Sequence, residues 1–131
     1  MKKLIALTAV ALMFSGPVMA AKNLDSIVDE FENSGLEFED ATHMGPSDYG
    51  AAPFLCDGEH FFIPSLGGGA GGRVFVCKKK ADRDRLASYY RELGKSSALF
   101  FSWVFVKGNV VLQLNGNLDE HTAKEYASTI P

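Results

Sequence analysis

The stretch from Ala98 to Gly116, ALFFSWVFVKGNVVLQLNG, is the constraint that any fold of this chain has to meet. It is strongly apolar, yet Lys107, Gly108 and Asn109 interrupt it at the middle. A membrane-spanning helix needs ~20 largely uninterrupted apolar residues, so the stretch is not read as a span. A β-hairpin fits it. With Gly108 and Asn109 as the central residues of a type II′ turn, glycine takes the position where φ is positive. Lys107 then pairs with Val110, Phe105 with Leu112, Trp103 with Leu114 and Phe101 with Gly116, which gives one strongly apolar face. The other face pairs Val106 with Val111, Val104 with Gln113 and Ser102 with Asn115, and is mixed. A slip of one residue would set Trp103 against Gln113 and scatter the apolar set over both faces. Nothing in this ribbon names a reaction.

The start of the chain addresses the compartment. Met1-Lys2-Lys3 is basic, Leu4 to Phe14 is apolar, and Val18-Met19-Ala20 offers small residues at the positions a signal peptidase reads. Residues 1–20 are therefore expected to be a signal peptide, cleaved near Ala20, with export to the periplasm or the medium. The apolar run is about half the length of a span, and no lipobox cysteine lies near the cleavage point. Residues 21–131 are expected to form a single domain. A domain of this size buries a modest core, so a staple would help it. Cys56 and Cys77 are its two cysteines. An even count in an oxidising compartment favours a disulfide; two buried thiols or half of a metal site are the alternatives. Closing the loop from 56 to 77 contributes roughly 3 kcal/mol in the chain-entropy model.

Hydrophobic spacing supplies the remaining elements. Leu24, Ile27, Val28 and Phe31 mark a first helix with Gly35 as its stop. Leu36 to Glu39 alternates as a short strand, and Thr42 to Pro53 reads as a loop. Phe54-Leu55-Cys56 and Glu59 to Ile63 flank Asp57-Gly58, a dipeptide that favours a hairpin turn. On that pairing Phe54, Cys56, Phe61 and Ile63 face one way. Arg73 to Cys77 is the next strand. A second helix runs from Ala81 to Leu93 with Gly94 closing it, and a third from Asp119 to Ile130 with Asn117 or Asp119 as its cap. Most turns are tight, so the expected fold is α+β: a mainly antiparallel sheet of four to six strands with about three helices packed on it.

Charge is unevenly spread. Residues 21–60 carry ten carboxylates and only Lys22, whereas residues 61–107 carry nine Lys or Arg against Asp82, Asp84 and Glu92. The two surfaces either complement each other within the fold, or Lys78, Lys79, Lys80, Arg83 and Arg85 meet an anionic partner. Gly67, Gly69 and Gly72 spell GxGxxG, but the loop leads into a strand rather than a helix, which disfavours a dinucleotide site. A weaker reading is an anion nest made by Gly67, Gly68, Gly69, Gly71 and Gly72 beside Arg73. Asp57, Glu59 and His60, with His43, and the pair His121 and Glu125 are thin sets of metal donors. Ser65 and Ser102 have no catalytic motif around them, and the cysteines are not a CxxC pair. The aromatic residues are read mainly as core. An uncovered second face of the hairpin, with Phe100, Val104 and Val106, would instead be a partner or dimer surface.

The run YYRELGKSSALFFSWVFVKGNVVLQLNGNLDEHTAKEY, from Tyr89 to Tyr126, resembles the C-terminal part of small exported bacterial proteins labelled stress-associated or of unknown function. No catalytic motif is carried by that resemblance. The expectation from the sequence is a non-enzymatic, periplasmic binding or envelope-stress protein acting through a protein surface. Its expected partner is an envelope protein or a second copy of the chain, with no cofactor, nucleic acid or bound metal. The alternatives are a carrier of a small apolar or anionic ligand, and a metal-binding protein or hydrolase.

Overall fold

The computed structural model describes residues 22–131, so the signal peptide expected over residues 1–20 lies outside the described residues. Among them, no helix is long and apolar enough to cross a membrane. The elements run α1 (Leu24–Glu32), β1 (Glu39–His43), β2 (Asp57–Phe62), β3 (Gly71–Val76), α2 (Lys80–Ser96), β4 (Ser102–Lys107), β5 (Val110–Asn115) and α3 (Glu120–Thr129). The five strands form one sheet in the order β1-β2-β3-β5-β4, antiparallel throughout. The fold is α+β, as the tight turns imply.

The hairpin has the expected register. Lys107 faces Val110, Phe105 faces Leu112 and Trp103 faces Leu114. Gly108 has φ 57° while Asn109 does not share the positive sign, as a type II′ reversal requires. Trp103, Phe105, Leu112 and Leu114 therefore turn to one side of the sheet. There they meet Ile27, Val28 and Phe31 of α1 and Ala123, Tyr126 and Ala127 of α3. Phe31, Phe38, Phe61 and Tyr126 stack through this core, with ring centroids 4.3–6.2 Å apart. Helices α1 and α3 begin on side-chain caps. Asn23 accepts from the Ser26 N–H at 2.8 Å, and Asp119 accepts from the Thr122 N–H at 3.0 Å.

Helix α2 covers the opposite side, against β4 and β5. Leu86, Ala87 and Tyr90 pack there with Phe75, Val111, Tyr49 and the Cys56–Cys77 disulfide. The half-cystines join the chain entering β2 to the chain leaving β3, beneath the start of α2.

Four local expectations need correction. The strand expected at Leu36–Glu39 lies later, at Glu39–His43. Leu36 and Phe38 reach the core from the approach, and Asp40 at φ 53° makes a bulge in this exposed edge. The loop read over 42–53 gives its first two residues to that strand and contains a 3-10 turn at Pro46–Tyr49. Helix α2 continues through Gly94 to Ser96. That glycine serves close approach, since a Cβ on it would lie 3.3 Å from Phe101 Cα. Most consequential, Asp57-Gly58 is not a turn. Both residues belong to β2, Phe54 is exposed, and Cys56 is buried on the side opposite Phe61 and Ile63.

Gly58 is needed for space rather than for conformation: a Cβ there would stand 2.6 Å from the Phe75 ring. Gly58→Ala should cost about 1–3 kcal/mol through overpacking, and adding Phe75→Leu should recover part of the loss. Urea denaturation of both variants checks this, because a turn glycine would gain nothing from a smaller residue 75.

Candidate functional site

The side of the sheet under α2 is divided along its length. One transverse row, Gly58, Phe75, Val111 and Val106, is apolar and sealed by α2. The adjacent same-side row is Thr42, His60, Arg73, Gln113 and Val104, each directly opposite the next across the sheet. Beyond it Asn115 faces Ser102. Side chains two residues apart on a strand share a face, so the polar positions of four strands come together here.

Arg73 and Gln113 of this row floor a cleft of about 520 Å³. Arg73, Gln113, Asn115 and Ser102 come from the sheet, Tyr89, Tyr90 and Leu93 from α2, Tyr49 to Ala51 from the 3-10 turn and the residues after it, and Ala98 to Phe101 from the segment entering β4. Gln113 is only 7% exposed, and its Oε1 accepts a hydrogen bond from Arg73 Nη1 at 2.9 Å. The Arg73 guanidinium carbon lies 6.0 Å from the centre of the Tyr90 ring, within cation–π range. Among the described residues Arg73 has no carboxylate within salt-bridge distance, and Ser102 Oγ is a buried oxygen with no hydrogen-bond partner. Among the described residues no Asp, Glu or His lines the cleft. The one formal charge that the described residues bring to it is therefore the Arg73 cation, surrounded by neutral amides, hydroxyls and aromatic rings.

Arg73 also borders a second hollow of about 340 Å³, with Thr42, Asp48, His60 and Phe62. Burial, reinforced by the Arg73 charge, pushes the His60 imidazole below its ordinary value, with Asp48 pulling weakly the other way. Asp48 Oδ2 accepts the Gly45 N–H at 2.8 Å and so closes its own turn. The Tyr49 hydroxyl, on this α2 side, donates to Cys56 O, the Tyr126 hydroxyl, in the α1–α3 core, donates to Glu37 O, and burial raises both phenols to about 12.

The residues singled out from the sequence are only partly assembled. Arg73 sits in the cleft, but none of Gly67, Gly68, Gly69, Gly71 or Gly72 lines it. Gly67 to Gly69 turn the chain with positive φ, and Gly71 and Gly72 are strand residues with no room for a Cβ. One member of the basic run is engaged within the fold. Arg83 donates to Gly108 O at 2.7 Å and pairs with Asp84, whereas Lys78, Lys79, Lys80 and Arg85 are exposed. Val104 and Val106 are half-buried beside α2, so the hairpin's second face is covered; Phe100 projects from a 3-10 turn before β4. Among the described residues no three His, Cys, Asp or Glu side chains cluster as metal ligands, and His121 and Glu125 form an exposed pair 3.2 Å apart.

Sequence reasoning passed over Tyr49, Tyr90, Gln113 and the neighbourhood of Ser102. The available signal was the interruption of an apolar strand by Gln113, paired with Val104 and flanked by the Ser102–Asn115 pair. No protein-family model matches this chain, and comparison with curated proteins and with solved structures yields no match.

A lowered folded-state value for His60 means that the unfolded chain takes up the proton first. The stability held by neutral His60 is therefore complete above the unfolded value near 6.5 and declines as pH falls below it, until the folded value is passed. Urea titrations across that range should show His60→Gln losing less stability on acidification than the parent chain. Parallel curves would contradict this assignment.

Proposed function

We propose that the chain is a non-enzymatic binding protein of the cell envelope whose seat is the α2-side cleft, and that its ligand carries an anionic group. One observation carries this reading: Arg73 is a half-buried cation with no carboxylate partner among the described residues, at the floor of a cleft with no negative side chain in its lining. A buried charge is disfavoured unless something complements it, and here Gln113 and Tyr90 supply only neutral complements. An arriving carboxylate or phosphate would accept from the free edge of the guanidinium and from the Gln113 amide. The cleft volume falls within the range of small-molecule sites. These features favour the ligand-carrier alternative over the protein-surface reading, because the basic run and the hairpin valines do not form one open surface.

The non-enzymatic reading rests on the lining: Ser102 has no His, Asp or Glu beside it in the cleft to act as its base. The proposed compartment is the periplasm or the medium, supported by the Cys56–Cys77 disulfide.

Thermal denaturation of the mature chain with a panel of organic carboxylates, phosphate esters and neutral sugars tests the proposal. An anion at 100 times its dissociation constant should stabilise by about 2.7 kcal/mol, a rise on the order of 10 °C for a domain of this size. Arg73→Gln should abolish the rise. Stabilisation by neutral sugars alone, or a full anion response in Arg73→Gln, would contradict it.

A further inference from the structure

Leu99, Phe100 and Phe101 are 90%, 61% and 41% exposed, and they are consecutive. Among the described residues, these three and Phe54 are the large apolar side chains left most open to water. All three line the same cleft as Arg73. They are not on a frayed segment. Ser97 Oγ accepts the Leu99 N–H at 3.2 Å, Ser97 O accepts from Phe100, and Ala98 O accepts from Phe101, so an ordered 3-10 turn presents them. Phe101 is further fixed against Gly94 and Gly116, two glycines with no room for a Cβ without crowding it. A single contiguous apolar rim standing over a lone cation is an amphipathic arrangement: one end complements a negative charge, and the other lacks apolar cover.

We infer that the occupant of this cleft is a single-chain amphiphile with an anionic head, its head on Arg73 and Gln113 and its hydrocarbon chain against Leu93, Leu99, Phe100 and Phe101. This inference rests on the anion-binding reading above and adds the apolar half of the ligand. A second copy of the chain is a poorer occupant of the same rim, since it would have to bring a carboxylate to the cleft floor as well as an apolar cover. A carboxylate and a phosphate monoester present the same chemistry to a guanidinium, so fatty acids and single-chain lipid phosphates are both admitted.

Isothermal titration of the mature chain with acetate, hexanoate, decanoate, decyl phosphate and the neutral octyl glucoside tests the inference. Each methylene that enters the cleft should tighten binding about fourfold, so hexanoate, with four more, should bind about 250-fold more tightly than acetate. Arg73→Gln should weaken every anion. Leu99→Ser with Phe100→Ser, both at exposed positions, should flatten the dependence on chain length. A preference between decanoate and decyl phosphate would assign the head group, and either supports the inference. Equal affinity for acetate and decanoate would overturn it and leave the anion site standing. Failure of every anion to bind would overturn both readings. Octyl glucoside binding as tightly as decanoate, uptake by anionic vesicles alone, or self-association abolished by the two serines without any amphiphile binding would also overturn it.

Discussion

The reversal at Gly108 and Asn109 is the constraint on which the rest of the structure depends. It sets the β4–β5 register, and it is also a junction. Arg83 of α2 donates to Gly108 O, and the Cys77 N–H donates to Asn109 O at 2.9 Å. The Asn109 side chain exchanges hydrogen bonds with the Lys22 backbone. Lys107, just before the turn, donates to Ala127 O and Ile130 O at the end of α3, where a cation complements the negative end of the helix. One tight turn thus ties together α2, α3, the disulfide and the start of the described chain.

Register then dictates chemistry. Because β5 lies inside the sheet, its alternation sends Val110, Leu112 and Leu114 to the α1–α3 core and Val111, Gln113 and Asn115 to the α2 side. Gln113 is the one buried polar residue among the described residues, and its place opposite Arg73 is what makes the guanidinium tolerable there. Helix α2 packs over the apolar row of Phe75 and Val111 and leaves the polar row open. The disulfide, Tyr49 and the tight fit of Gly58 against Phe75 stiffen the sealed end. The fold therefore builds a rigid wall beside a cleft whose one charge is unmatched. Rigid walls favour binding, because less order has to be created when a ligand arrives.

Much of this architecture was legible in the chain. The hairpin register followed from Gly108 together with the alternation of Trp103, Phe105, Leu112 and Leu114, and each helix announced its apolar stripe. Cys56 and Cys77 pointed to a staple. Local patterns failed where packing gives a residue a second meaning. Asp57-Gly58 has the composition of a turn, yet glycine is there because the Phe75 ring occupies the space of a side chain. Gly94 has the composition of a helix stop, yet it lets α2 pass close to Phe101. The candidate site was the least legible part. Thr42, His60, Arg73 and Gln113 lie on four strands, and their alignment depends on non-local pairing that no short window of sequence contains. Arg73 was noticed for the glycines beside it, whereas its working neighbours are Gln113, forty residues later, and Tyr90.

The central claim is that Arg73 is an unmatched cation facing an open cleft. Diffraction from crystals of the mature protein soaked in bromide tests it most directly, since anomalous scattering locates the halide without reference to any assumed ligand. The account predicts an ordered bromide against the Arg73 guanidinium and the Gln113 amide, lost in Arg73→Gln. Bromide gathered only along Lys78 to Lys80, or an Arg73 side chain paired with the Asp48 carboxylate, would contradict it.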